Sequence, residues 1–253
     1  MDSPVNYTLY LDNQSIAVNG LLNKNISLRW DGEIHCQHCG RLTETSYFQG
    51  YCFPCFKTLP QTDDCIFNPE LCKAHEGISR DRVFAEQFCL QDHYVYLALT
   101  DSVKVGVTRA TQIPTRWIDQ GAWKAVRLAK TPNRFLAGII EVELKKHLTD
   151  KTNWRNMLTN KMNLSVNLKD EKEKARKLLS PSSSAYYDPD DEIIEISYPV
   201  IKYPEKASYS AFEKTAVISG KLMGIRGQYL LFEDGNTLNI RKYGGYKISL
   251  EII

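Results

Sequence analysis

YVYLALTDSVKVGVTR, Tyr94 to Arg109, is the stretch around which the rest of the chain can be organised. Two apolar runs, Tyr94–Leu99 and Val103–Thr108, flank Thr100-Asp101-Ser102, a polar break that reads as a hairpin turn. Downstream, Pro114 suits the first turn of a helix, with Thr111 or Gln112 as its cap and Gly121 as its end. Ala125 to Ala129 is a short third strand. From Thr131 onward, Phe135, Leu136, Ile139, Ile140, Leu144 and Leu148 recur at helical spacing. Glu141 sits at the edge of that stripe, where packing can hold a carboxylate and still leave it access to water. Strand, turn, strand, helix, strand, helix predicts an α+β module that ends near Asn153.

The order of residues resembles the GIY-YIG nuclease domain. That domain carries an aromatic on its first strand, a YIG-type triplet on its second, an arginine on the next helix, a metal-binding glutamate on a later helix and a downstream asparagine. Val95-Tyr96 stands at the first triplet and Lys104-Val105-Gly106 at the second. Arg116, Glu141 and Asn153 follow in order. The family's second tyrosine is replaced by Lys104 and its first glycine by Tyr94; some phage-type relatives also carry lysine in a KIG triplet. The resemblance implies a phosphodiester site. Glu141 would hold Mg²⁺ or Mn²⁺, Arg116 would neutralise the phosphate, and Tyr96 would act as base if nearby cations lowered its pKa. Each residue also has an ordinary role: a core tyrosine, a solvated first-turn arginine, a solvated helix glutamate.

At 253 residues and 43% hydrophobic, the chain can bury a real core and form two or three small domains. Its net charge of +2 says little, but the distribution says more. From Lys104 to Arg155 there are eleven Lys or Arg against four acids, the footprint of a surface for DNA or RNA phosphate or, without a partner, of a solvated cationic face. No apolar run approaches the roughly 18 residues of a membrane span, and MDSPVNYTLYLDN lacks a basic start and an apolar core. A cytoplasmic chain with no membrane partner is the expectation.

Seven cysteines, mostly in close pairs, then read as metal ligands before disulfides. Cys36-x2-Cys39 and Cys52-x2-Cys55 form two knuckles, each supplying two thiolates from one tight turn, which is the zinc-ribbon pattern. His35 and His38 lie beside the first knuckle, where four cysteines already satisfy the ion. Cys65, Cys72, His75 and Cys89, with His93 close behind, are a second and irregular set; zinc and packed free thiols are both open readings. The whole chain resembles an uncharacterised bacterial family of unknown function that joins a Cys-rich start, a GIY-YIG-like middle and a β-rich end. Relatives in it have a further cysteine where this chain has Ser79.

The flanks are simpler. Residues 5 to 30 alternate as strands, with Asp12-Asn13 and Asn19-Gly20 as turns. Leu164 to Leu179, which contains KDEKEKARKLL, reads as a solvated connecting helix. From Ile193, short alternating runs punctuated by glycine and turned at Asp234-Gly235-Asn236 predict a small closed β-barrel. Its Tyr229, Phe232, Arg241, Lys242, Tyr243 and Tyr246 would serve as a base-stacking face or simply as core. The expected layout is strands over 1–34, which can add to the C-terminal barrel, a Cys-rich region over 35–92, the GIY-YIG-like domain over 93–160, a helical and acidic linker over 161–192, and the barrel over 193–253.

Overall fold

The computed structural model describes residues 3–11, 14–163 and 165–253; the expected Asp12-Asn13 turn and the Leu164 helix start lie outside them. β1 (Thr8–Leu11) and β2 (Gln14–Ala17) pair as an antiparallel ribbon. β3 (Asn25–Ile34) buries Ile26 and Leu28 and exposes Asn25 and Arg29, the alternation a half-buried strand requires. α1 (Phe53–Thr58) begins between the two cysteines of the second pair and contains Cys55, and α2 (Arg82–Phe88) is capped by Asp81, whose carboxylate accepts the Phe84 N–H at 2.6 Å. β4 (His93–Leu99), β5 (Val103–Arg109), α3 (Thr115–Asp119), β6 (Lys124–Thr131) and α4 (Arg134–Leu144) follow in the order expected from the hairpin. α4 starts later than Thr131 because Asn133 is the residue that caps it, accepting the Leu136 N–H at 3.0 Å. Then come α5 (Trp154–Leu158), α6 (Leu168–Lys177), α7 (Pro181–Ser184), β7 (Ile194–Glu195), β8 (Ser208–Tyr209), β9 (Val217–Arg226), β10 (Tyr229–Phe232), β11 (Asn236–Asn239) and β12 (Tyr246–Ile252). The mixture is α+β.

These elements form two compact units. The first comprises residues 1–57, 154–161 and 196–253; the second comprises 58–153 and 162–195.

In the first unit a six-stranded sheet runs β12-β3-β9-β10-β11-β8. β9 serves two neighbours: Val217–Lys221 pairs with β3 and Leu222–Arg226 with β10, so a single long strand turns the sheet over its core. Ile26, Leu28, Phe212, Leu222, Leu230, Phe232 and Leu238 fill that core, each buried aliphatic or aromatic group contributing roughly 1.5–3 kcal/mol. The expected closed barrel is not formed among the described residues. Its edge strand β8 is only two residues long and pairs parallel to β11, too short a ladder to meet β12. The aromatic groups also go inward. Phe232 and Tyr243 are buried, Tyr229 stacks on Trp154, and Arg241 is held by Gln49 Oε1 at 2.7 Å.

In the second unit the antiparallel sheet runs β5-β4-β6-β7, with β4 in the middle. One face of the hairpin, Val95, Leu97, Leu99 and Val105, packs with Ala137, Ile140 and Leu144 of α4 and Leu168 and Ala175 of α6. The opposite face carries Tyr96, Ala98, Lys104 and Gly106, because residues paired across the ladder share a side. α6 differs from the expected solvated connector. Its charged sequence hides an apolar stripe, and Lys172 is fully buried with Nζ donating to the Asp190 carbonyl at 2.6 Å and to Asp191 at 2.9 Å. Among the described residues no helix is long and apolar enough to cross a membrane.

Candidate functional site

The two knuckles converge in the first unit. Cys36, Cys39, Cys52 and Cys55 place their four sulfurs within 4.8 Å of one another. Cys39 and Cys52 are 3.7 Å apart, too far for a disulfide and close to the ~3.8 Å edge of a tetrahedron with ~2.3 Å metal–sulfur bonds. Burial pushes the Cys36 thiol up, but backbone N–H groups of Cys39, Cys52 and His38 outweigh it and bring it down to about 6. The turns need permissive backbone at Gly40 (φ +72°) and Gly50 (φ +144°). The knuckle is tied to the sheet by the His35 N–H, which donates to the Gly245 carbonyl at 2.7 Å. A Cβ at Gly245 would stand 2.3 Å from the His35 carbonyl oxygen, so only glycine allows this approach. His35 and His38 stay outside the sulfur cluster, and His35 Nε2 meets Glu33 at 2.8 Å.

In the second unit, Cys65, Cys72 and Cys89 place their sulfurs within 4.8 Å of one another, and His75 is not part of that cluster. The His75 ring stacks on Phe135 at 4.3 Å and its Nε2 meets Glu76 at 3.6 Å.

The second unit also gathers four of the five residues picked for phosphate chemistry. Tyr96 is fully buried on the polar face of β4, its hydroxyl donating to Gln120 Oε1 at 2.9 Å. Gly106, its cross-strand partner, must lack a side chain, since a Cβ would lie 2.5 Å from that hydroxyl. Burial raises the Tyr96 pKa, with Arg116 and the Gln120 bond opposing and Glu141 adding to the rise. The lowered pKa expected of a base is therefore reversed. Two positions along, Lys104 is 6% exposed. Burial pushes it down to about 8, helped by Arg116 and opposed by Asp150, Glu141 and Asp101. Glu141, 7% exposed, is raised by burial against the pull of Lys145, and Asp150 and Glu70 raise it further. Lys145 Nζ lies 3.3 Å from both Glu141 and Asp150. Arg116 is exposed on α3. Asn153 meets the group at Asp101, whose Oδ1 accepts the Asn153 N–H at 3.1 Å.

Sequence reasoning missed Glu70, Gln120 and Asp150. Glu70 comes from the turn Pro69–Leu71, which lies so close to α4 that a Cβ on Gly138 would stand 2.2 Å from the Glu70 nitrogen. Its Oε2 is buried with no hydrogen-bond partner among the described residues. No local pattern marks it; only the fold brings it beside Glu141. The local count of charge also misled. Lys124 pairs with Glu195, Arg127 with Asp188 and Asp190, Lys130 with Asp92, and Lys145 with Glu141 and Asp150. Acids from outside the counted stretch thus offset Lys124, Arg127 and Lys130, while Lys145 is held by two acids within it.

Comparison with known proteins gives one result. The family described as a protein of unknown function, DUF2797, matches residues 23–248. No curated protein and no solved structure matches the chain.

Proposed function

The chain belongs to DUF2797, whose description carries no activity over to it, and from its own residues we propose that it binds nucleic acid where the exposed Arg116 stands beside the buried Tyr96 and Lys104 of the β4–β5 hairpin. We take the second unit as a GIY-YIG-like domain and the four-cysteine ion as structural zinc. The single observation behind this is the convergence of Tyr96, Lys104, Arg116 and Glu141, spread over more than forty residues of sequence, on one electrostatic neighbourhood. A buried ammonium beside an exposed guanidinium suits a phosphodiester, because the low-dielectric setting strengthens each charge–charge contact. Tyr96, sealed and raised, positions Gln120 and Arg116 instead of serving as a base. Free thiols in all seven cysteines suit a reducing, cytoplasmic setting.

A second reading, metal-dependent phosphodiester cleavage, rests on Glu141 alone. Its buried carboxylate is an oxygen ligand of the kind Mg²⁺ or Mn²⁺ prefers, but Lys145 occupies the cation position at 3.3 Å and would have to give way. A non-catalytic nucleic-acid adaptor needs no such exchange, so binding leads. The test is titration of single- and double-stranded DNA and RNA at about 50 and 200 mM salt, where phosphate-driven binding weakens steeply. Arg116→Ala should weaken it at constant fold. Absence of binding at low salt would leave a zinc-stabilised protein-interaction scaffold. Mg²⁺- or Mn²⁺-dependent cleavage abolished by Glu141→Ala would establish the second reading.

A further inference from the structure

We infer that Cys65, Cys72 and Cys89 hold a second metal ion of the zinc class, closed by His93 and charge-balanced by Arg134. It stands apart from the nucleic-acid reading and needs no part of it. The region that carries these cysteines is a chain of short turns, Pro60–Thr62, Asp64–Ile66, Pro69–Leu71 and Ala74–Glu76, followed by α2. Such turns pack only if something draws them together. Apolar burial does not: the cluster consists of Cys72, Ala74, Ala85 and Cys89 with Cys65 and Phe135 against it. Several large apolar side chains of the region are exposed instead, with Leu71, Ile78 and Val83 between 54% and 62% exposed, while Leu59, Ile66, Phe84 and Phe88 are only half-buried. Small modules of this kind are stapled by a metal or by disulfides, and the three thiols are all free.

The charges around the sulfurs fit an ion. Three thiolates and one divalent cation leave a single negative charge. Arg134 is fastened to the cluster at two points, its backbone N–H donating to the Cys89 carbonyl at 2.8 Å and its Nη1 to the Cys65 carbonyl at 3.4 Å. Its Nε is buried with no acceptor among the described residues, a donor that thiolate sulfur would satisfy. His93 supplies the missing ligand type. It opens β4 four residues beyond Cys89 and is 1% exposed. Its Nδ1 lies 2.7 Å from the Gln91 carbonyl, which can only accept, so the proton is on Nδ1 and Nε2 carries the lone pair. That Nε2 is buried and unpartnered among the described residues. An imidazole held by a backbone carbonyl with its other nitrogen bare is the arrangement of a metal-ligating histidine. The cluster within 4.8 Å is made by the sulfurs alone, so ligation requires the His93 ring to move toward them when the ion binds.

The experiment is metal analysis and Co²⁺ substitution of the full chain purified under reducing conditions. Two zinc ions per chain are expected, falling to one in Cys72→Ser and in His93→Ala and staying at two in His75→Ala. In the wild type, the second Co²⁺ should show a d–d envelope distinct from that of the tetrathiolate ion, as a mixed sulfur–nitrogen site requires. One zinc per chain in the wild type overturns the second centre and leaves packed thiols. Two ions with identical tetrathiolate-like envelopes, or a His93→Ala protein that keeps both ions, overturns the assignment of His93.

Discussion

The two cysteine clusters are built in opposite ways. In the first unit four sulfurs come from two knuckles within twenty residues, and the spacing itself dictates the turn. In the second, three sulfurs come from the turn Asp64–Ile66, the end of the turn Pro69–Leu71 and the last turn of α2, at spacings that dictate nothing. A ligand set made by local geometry is readable before folding. One made by tertiary placement is readable only afterward, and its ligands are chosen by what else the fold buries beside them. Tyr96, Lys104, Arg116 and Glu141, the group we propose for phosphate binding, belong to the second kind.

The largest expected effect tests the local cluster. Cys52→Ser should remove one ion per chain and unfold the knuckle, because metal affinity there is folding free energy, roughly 10 kcal/mol or more in isolated modules. Circular dichroism with metal analysis reads both, and a variant that keeps its fold without the ion would break the comparison.

Next is Lys104, placed by tertiary structure. Its folded pKa of about 8 lies below the ordinary 10.5. The folded state therefore releases the proton first, and stability rises as pH climbs from about 8 to 10.5, with the burial cost greatest below 8. Lys104→Met should stabilise the second unit at pH 7 by on the order of 3 kcal/mol and flatten that rise. Affinity for nucleic acid should fall through pH ~8 in the wild type and lose that step in the variant. Chemical denaturation and binding titrations across pH check the pair.

Gly138→Ala asks how closely the Cys65–Cys72 segment is seated on α4. The added methyl would meet the Glu70 nitrogen at 2.2 Å, and overpacking of this sort costs about 1–3 kcal/mol. A shift in denaturation midpoint is expected together with weakened retention of the second ion. No change in either would show that the segment is loosely held.

The smallest effect sharpens the contrast. Asp81→Ala removes the cap of α2 and should cost about 1 kcal/mol. If the ion locks α2 through Cys89, hydrogen exchange in α2 should respond more strongly to the substitution in metal-stripped protein than in loaded protein.

Much of the second unit was legible because its signals are local. The Thr100-Asp101-Ser102 break, the Pro114 helix start and the apolar stripe of α4 each fix a short element, and their order is the observed order. The barrel was misread because glycine punctuation announces bends but not whether the last strand finds the first; β8 is too short for that. α6 was misread because its charges outnumber its apolar residues, although Leu168, Lys172 and Ala175 are all buried. His75 lies near the cysteines in sequence, but its ring stacks on Phe135 and stands outside the three-sulfur group, a placement no local pattern announces. Glu70 and Gln120 had no local signal, since each matters only through a residue that another element supplies.

The pairing of β3 with β9 and β12 has a consequence for synthesis. Asn25–Ile34 leaves the ribosome early, but its neighbours begin at Val217 and Tyr246. At ~5–20 residues per second the strand waits roughly 10–40 s with both edges unpaired. The knuckle that follows it, Cys36 to Cys55, can close as soon as it emerges and meets an ion. A zinc-charged knuckle would thus be ordered long before the sheet it is tied to is complete, while β3 keeps both edges open until β9 and β12 arrive, an interval in which it is prone to edge-to-edge aggregation.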